Sequence, residues 1–106
     1  MIVVNRFQVP EVEDETFRAD LQRAHDALAE RPGFLTGTIG RNVDDPTLWV
    51  LTTTWEHVGA YRRALSAYDV KLHAVPTLLR AVDEPSAYEI AEAGTDLNIR
   101  ETRSLG

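Results

Sequence analysis

The chain has 106 residues with 11 basic and 17 acidic side chains, a formal charge of −6, and a content of 43% hydrophobic and 26% charged residues without any cysteine. That length suits one domain and that composition an ordinary globular protein, so neither disorder nor a fibrous repeat is expected. The acidic balance argues against nucleic acid and anionic membrane as partners, and the lack of cysteine removes disulfides, thiolate metal sites and thiol nucleophiles.

The start, "MIVVNRFQV", has no basic leader or apolar run of signal-peptide length, and "LWVL" at 48–51 is too short to cross a bilayer. The expected compartment is the cytoplasm. "IVVNRFQV" (2–9) is β-branched and apolar, stops at Pro10, and reads as a first strand with Val3, Asn5, Phe7 and Val9 on one face. From about Glu13 to Arg31 the apolar positions Phe17, Leu21, Ala24 and Leu28 recur at helical spacing, and "RPG" ends the segment. "FLTGTIGRNV" (34–43) is a second strand, in which Gly37 and Gly40 suggest a bulge or a close backbone approach. "DDP" (44–46) is turn chemistry, and "LWVLTTTWEH" (48–57) returns as a third strand.

Beyond Trp55 the pattern is again helical. Val58, Tyr61, Leu65, Tyr68 and Leu72 would form one stripe if the helix were continuous, while Ser66 is a candidate cap for a restart. Pro76 is expected to push Val75 out of the α region and open a short helix to about Val82. "EPSAYEIAE" supplies a last strand over 86–91, leaving a domain of 1–92 and a polar tail of 93–106 that a partner subunit is a candidate to hold. The order is βαββαβ, an α+β ferredoxin-like antiparallel sheet with its helices on one face. The other face must stay polar or meet a second copy, so a homodimer through the sheet face is expected.

On the third strand Trp49, Leu51, Thr53 and Trp55 share a face. Core packing is the simpler account of Trp49, whereas Trp55, at the strand end beside a helix, is a candidate to line a pocket with its indole N–H. Asn5 is out of place on an apolar strand face, and if buried its amide needs a partner. Among His25, His57 and His73, none stands at metal-ligand spacing from another, and no metal site is expected. Tyr61 and Tyr68 fall on the helical stripe, where packing is the simpler reading, and Arg62 and Arg80 are candidate partners for an anionic group. No phosphate-binding glycine loop, nucleophile elbow or zinc signature occurs.

The topology, the length, "RPGFLTGTIGRNVDDPTLWVLTTTWE" and "DEPSAYEI" together resemble the antibiotic biosynthesis monooxygenase family, whose members are dimeric α+β barrels that pack sheet against sheet. The resemblance implies one of three roles. In cofactor-free relatives a phenol or hydroquinone is deprotonated, its anion reduces dioxygen directly, and the recombined peroxide collapses to a quinone. By that likeness Asn5 and Trp55 would hold the substrate oxygen, with Tyr68 or His73 as proton-transfer groups and Phe7, Trp49, Tyr61, Leu65 and Leu72 lining a small apolar, aromatic substrate. Haem-degrading relatives use an asparagine and a tryptophan at the positions of Asn5 and Trp55, but add a histidine ligand on the next helix, where "YRRALSAY" has none. Haem is therefore the second choice and no cofactor the first. A non-catalytic ligand-binding dimer is the third possibility.

Overall fold

The computed structural model describes residues 1–97. Ile2–Gln8 form β1, followed by a 3₁₀ turn at Glu11–Glu13 and by α1, Asp14–Ala29. The acidic side chains of this first turn suit the positive end of the helix dipole. Phe17, Leu21, Ala24 and Leu28 are buried, as their spacing predicts.

Gly33 then turns the chain at φ +90°, and a Cβ placed there would collide with the Cβ of Ala60. β2 (Phe34–Arg41) and β3 (Leu48–Trp55) form the expected hairpin. Asn42 Oδ1 accepts from the backbone N–H groups of Asp44 and Asp45, both at 2.8 Å, and Asp45 Oδ1 accepts from the Thr47 N–H at 2.9 Å. The Thr47 hydroxyl, donating to the same oxygen, and the Thr47 N–H hold the Asp45 carboxyl below the usual carboxylate range. The two effects expected of the β2 glycines separate. The bulge falls between Phe34 and Thr36, and Gly37 is where the backbone passes close, a Cβ there lying 2.7 Å from the His25 ring.

The sheet order is β2-β3-β1-β4, antiparallel throughout, which is the ferredoxin-like arrangement. β4 is reduced to Ala87–Tyr88, shorter than the strand expected over 86–91, and pairs with Ile2 and Val3. The second helical region is α2 (Val58–Ser66), α3 (Tyr68–His73) and α4 (Val75–Leu78). The break falls at Ala67, whose ψ of 142° is extended, and no side chain caps α3, so Ser66 is not the cap. Val75 is itself the first residue of α4, and Pro76 takes an early position where its missing N–H leaves no intrahelical bond unmade; the helix ends at Leu78 rather than near Val82.

That break also corrects the stripe. Helical phase is reset at Ala67, and the buried positions are Ala60 and Ala64 on α2, then Val70 and Ala74 next to the sheet layer. Small alanines let α2 approach the strands closely, while Tyr61 and Leu65 are half-buried and Tyr68 and Leu72 turn outward. The core lies between the helices and one sheet face, where Val3, Phe7, Leu51 and Trp55 meet Phe17, Leu21, Leu28 and Val70. Each large side chain so buried is worth about 1.5–3 kcal/mol.

The opposite face carries Val4, Val50, Thr52 and Thr54, half-buried and free of helices, with the Thr36 and Thr54 hydroxyls 2.6 Å apart. Residues 93–97 are exposed, and the rest of the tail expected to meet a partner lies outside the described residues. Gly33→Ala combines a left-handed backbone with a steric collision, so it should cost at least about 2 kcal/mol. Thermal unfolding followed by circular dichroism checks this, against Gly40→Ala, which meets only Val50 Cγ1 at 3.2 Å and should be much milder.

Candidate active site

Strand alternation places both tryptophans toward the helices, as the sequence implies, but their environments differ. Trp55 is 0% exposed. Phe34 meets it edge-on at 5.3 Å between ring centroids, and Tyr61 of α2 packs against it at 5.5 Å. Its indole N–H donates to Thr53 Oγ1 at 2.9 Å, two residues back on the same face. The donor expected to reach a substrate oxygen is thus already engaged within the strand. Thr53, 1% exposed, accepts that bond and keeps its own hydroxyl proton for a further acceptor. Burial pushes the Tyr61 phenol up from its ordinary pKa, so it is neutral and protonated near pH 7.

Asn5 stands opposite Leu51 on β1, between Val3 and Phe7 on the helix-facing side. It is half-buried, and no side-chain hydrogen bond reaches its amide among the described residues. In antiparallel register its diagonal neighbours on that face are Thr53 and Trp49. The layer therefore places a free amide beside the Thr53 hydroxyl in otherwise apolar surroundings. Farther along, Phe7, Phe17 and Trp49 form a second aromatic run, at 5.2 and 5.6 Å, and Trp49, 4% exposed, has a buried indole N–H without an acceptor.

The remaining candidates are not gathered at this point. Tyr68 is 76% and Leu72 53% exposed, and His73 is exposed on α3, beside a groove of about 470 Å³ lined by Arg23, Asp26 and Asp69 among others. No hydrogen bond, ion pair or ring contact joins Tyr68 or His73 to Asn5 or Trp55 among the described residues. The physical cause is again the break at Ala67, which rotates α3 relative to α2. Leu65, half-buried on α2, packs at the edge of the core. Arg62 is exposed, and Arg80 pairs with Glu13 at 3.0 Å while lying over the Phe17 ring.

Histidine-ligated haem would require an imidazole facing this layer. His57 caps α2, its Nδ1 accepting the Ala60 N–H at 3.1 Å; His25 Nδ1 sits 2.9 Å from Asp26 Oδ1 with its ring against Phe34; and His73 faces outward. The helix face beside Trp55 presents Tyr61 instead, so the donor set does not fit histidine-ligated haem. Sequence reading missed Thr53 as the partner of Trp55, although its place on the strand face between the two indoles was the available signal. It also missed Phe34, whose approach depends on the bulge.

Thr53→Val keeps the shape and removes the acceptor, leaving the Trp55 N–H unpaired in a dry core. The expected loss is about 1–3 kcal/mol, with Thr53→Ser close to wild type. Chemical denaturation read by tryptophan fluorescence measures both.

The family model described as antibiotic biosynthesis monooxygenase matches residues 1–75. Among solved structures, SnoaB from Streptomyces nogalater, described as a cofactor-independent oxygenase, is 25% identical over 90% of this chain and 96% of its own, with a TM-score of 0.71. A mutant form of SnoaB aligns at 28% identity over 91% and 94%, with a TM-score of 0.67. A Deinococcus radiodurans protein bearing the same family name shares the fold, at 20% identity over 92% and 100% and a TM-score of 0.70. Among curated proteins no match is found. The family match spans both strands and helices that build the Asn5–Trp55 layer, and on that match the chain belongs to the antibiotic biosynthesis monooxygenase family.

Proposed function

We propose that the protein is a cofactor-independent monooxygenase that oxidises a small apolar, aromatic substrate with dioxygen, and that it works as a homodimer joined through the open sheet face. The observation that carries the reading is the half-buried Asn5 amide, without a partner among the described residues, beside the Thr53 hydroxyl in an apolar layer. The likeness to SnoaB supports it.

In this reading the substrate's ring oxygen sits against Asn5, whose amide N–H donates to it, and Thr53 O–H is the second donor. Two donors aimed at one oxygen favour its anionic form, lowering the substrate's pKa and stabilising charge as it develops. The proton leaves to solvent. The anion passes one electron to dioxygen, the radical pair recombines as a C–O bond to a peroxide, and the hydroperoxide loses water to leave a carbonyl. One oxygen atom stays in the product as the new carbonyl and the other departs as water, whose two hydrogens are the proton lost on forming the anion, returned from solvent to the peroxide, and the hydrogen of the oxidised carbon. The protein supplies position, donors and an apolar surround in which uncharged dioxygen meets the anion. Tyr61, protonated and packed on Trp55, orients the indole and the ring bound near it. Tyr68 and His73, facing outward on α3, have no part in this version of the mechanism.

The threonines of the open sheet face need no partner where water reaches them, but Val4 and Val50 are apolar positions that a second copy would cover, which is the support for the dimer. Oxygen uptake by the metal-free protein with a panel of anthrones and hydroquinones tests the activity. Asn5→Ala should lower kcat/KM by about 10²-fold, comparable to loss of a donor at a developing oxyanion, while Trp55→Phe should cost less because its N–H is spent on Thr53. His73→Ala should be near wild type. Uptake no faster than the uncatalysed reaction across the panel would overturn the reading.

A further inference from the structure

His25 is a titratable group at the edge of the Asn5 layer that the mechanism leaves unused. Its side chain, 22% exposed, leans from α1 onto β2, edge-on to Phe34 at 6.0 Å between ring centroids. A Cβ at Gly37 would lie 2.7 Å from His25 Cδ2, 2.8 Å from Nε2 and 2.9 Å from the tip of the Phe34 ring, so the imidazole edge fills the space that a side chain there would take. Gly37 stands opposite Thr53 in the β2–β3 register. Side chains directly opposite in an antiparallel pair have Cβ atoms about 4.5–5.5 Å apart, which makes the Nε2 edge the neighbour of the Thr53 side chain on the β2 side. Asn5 lies on the other side of Thr53, on β1, with β3 between the two strands.

The second ring nitrogen is already committed. Nδ1 sits 2.9 Å from Asp26 Oδ1, which also accepts from Gln22 Nε2 at 2.8 Å. The bond to His25, and after it the one from Gln22, holds the Asp26 carboxyl below its usual range, and an ionised carboxylate can only accept. Nδ1 therefore carries the proton, and Nε2, without a hydrogen-bond partner among the described residues, keeps its lone pair. From β2 the ring meets Phe34 and Gly37, which do not titrate, and besides Asp26 no ionisable group bonds to it, pairs with it or stacks on it among the described residues. Thr53, for its part, accepts the Trp55 N–H and still has one lone pair and its own proton. A hydroxyl so placed can take a proton from one side as it gives one up on the other.

We infer that His25, oriented by Asp26, takes up the substrate's proton through the Thr53 hydroxyl and passes it to solvent. The substrate O–H bond breaks as its proton moves to Thr53 Oγ1, and the former Thr53 O–H bond breaks as that proton moves to Nε2. No electrons change hands, and the imidazolium formed is paired with the Asp26 carboxylate. The proton that Thr53 receives is the one it then donates to the substrate anion, so the relay leaves the second donor of the site in place. No direct bond joins Thr53 to His25 among the described residues, and such contacts commonly close, directly or through one water, when substrate is bound. His25 acts through Thr53 and does not touch the substrate. The inference rests on the Asn5–Thr53 reading and names the route by which the proton of that reading leaves.

Oxygen uptake near pH 7 with hydroquinones graded by the acidity of their hydroxyl groups tests it, with uncatalysed rates subtracted. For substrates neutral at that pH, His25→Gln should lower kcat/KM about 10²-fold, the scale of a general base. For substrates already ionised in solution the same variant should stay within about threefold of wild type, because no proton remains to be moved. Asp26→Asn should follow the same pattern with a smaller loss. A merely structural role for His25 would lower uptake of every substrate alike. That uniform loss, or uptake by His25→Gln equal to wild type while Asn5→Ala falls, would overturn the inference and leave the oxygenase reading standing. Uptake by the wild type no faster than the uncatalysed reaction would overturn both. Should His25→Gln fail to fold, as read by thermal unfolding, Asp26→Asn, whose side chain is 65% exposed, decides by the same comparison.

Discussion

The hydrogen bond from the Trp55 indole to Thr53 is the constraint on which the rest of the site depends. It lies within one strand, spans two residues, and is dry, with both partners inaccessible to solvent. A bond in such a place fixes the indole's plane, and the rings of Phe34 and Tyr61 are set against that plane. It also decides which polar groups remain available. The most obvious donor in the layer is consumed internally, so the open valences pass to the Thr53 hydroxyl proton and the Asn5 amide one strand away.

The helices serve this arrangement by what they leave out. α2 and α3 meet the sheet largely through alanine and valine, at Ala60, Ala64, Val70 and Ala74, and bring no charged side chain into the core. The ionisable groups are instead spread over the rim, where Arg6 holds the Glu84 carboxyl below its usual range and Arg80 pairs with Glu13. A layer so apolar strengthens each remaining dipole, since little water competes for it. The same layer ends at Trp49, whose ring lies under the Arg41 guanidinium and whose indole N–H is buried without an acceptor.

Much of this was legible in the chain itself. Period-two alternation over "LWVLTTTW" was enough to put Trp49, Leu51, Thr53 and Trp55 on one side, and Phe17, Leu21, Ala24 and Leu28 marked the buried stripe of α1 because neither segment contains a break. The stripe through Val58, Tyr61, Leu65, Tyr68 and Leu72 required an unbroken helix, and of the two readings the restart near Ser66 is the one nearer the structure, although no side chain caps α3. Ala67 is neither glycine nor proline, yet its extended backbone resets the phase, and with it Tyr68 and Leu72 turn outward. The two tryptophans illustrate the other gap. Alternation gives the face of a residue but not the partner of its polar atom, and the strand-end indole N–H has an acceptor in Thr53 while that of Trp49 is buried without one. The pairing of Phe34 with Trp55 depends on a bulge at Leu35 whose existence, but not position, the β2 glycines suggested.

The central claim is positional: substrate oxygen is held at Asn5 and Thr53, on the helix-facing side of the sheet, rather than by Trp55 or on α3. A crystal structure of the protein with a hydroxyanthrone bound under anaerobic conditions measures this directly. The account predicts the ring oxygen within about 3 Å of the Asn5 amide nitrogen, with the Trp55 indole still bonded to Thr53. A ligand seated in the groove beside His73, or one whose oxygen has drawn the Trp55 N–H away from Thr53, would contradict it.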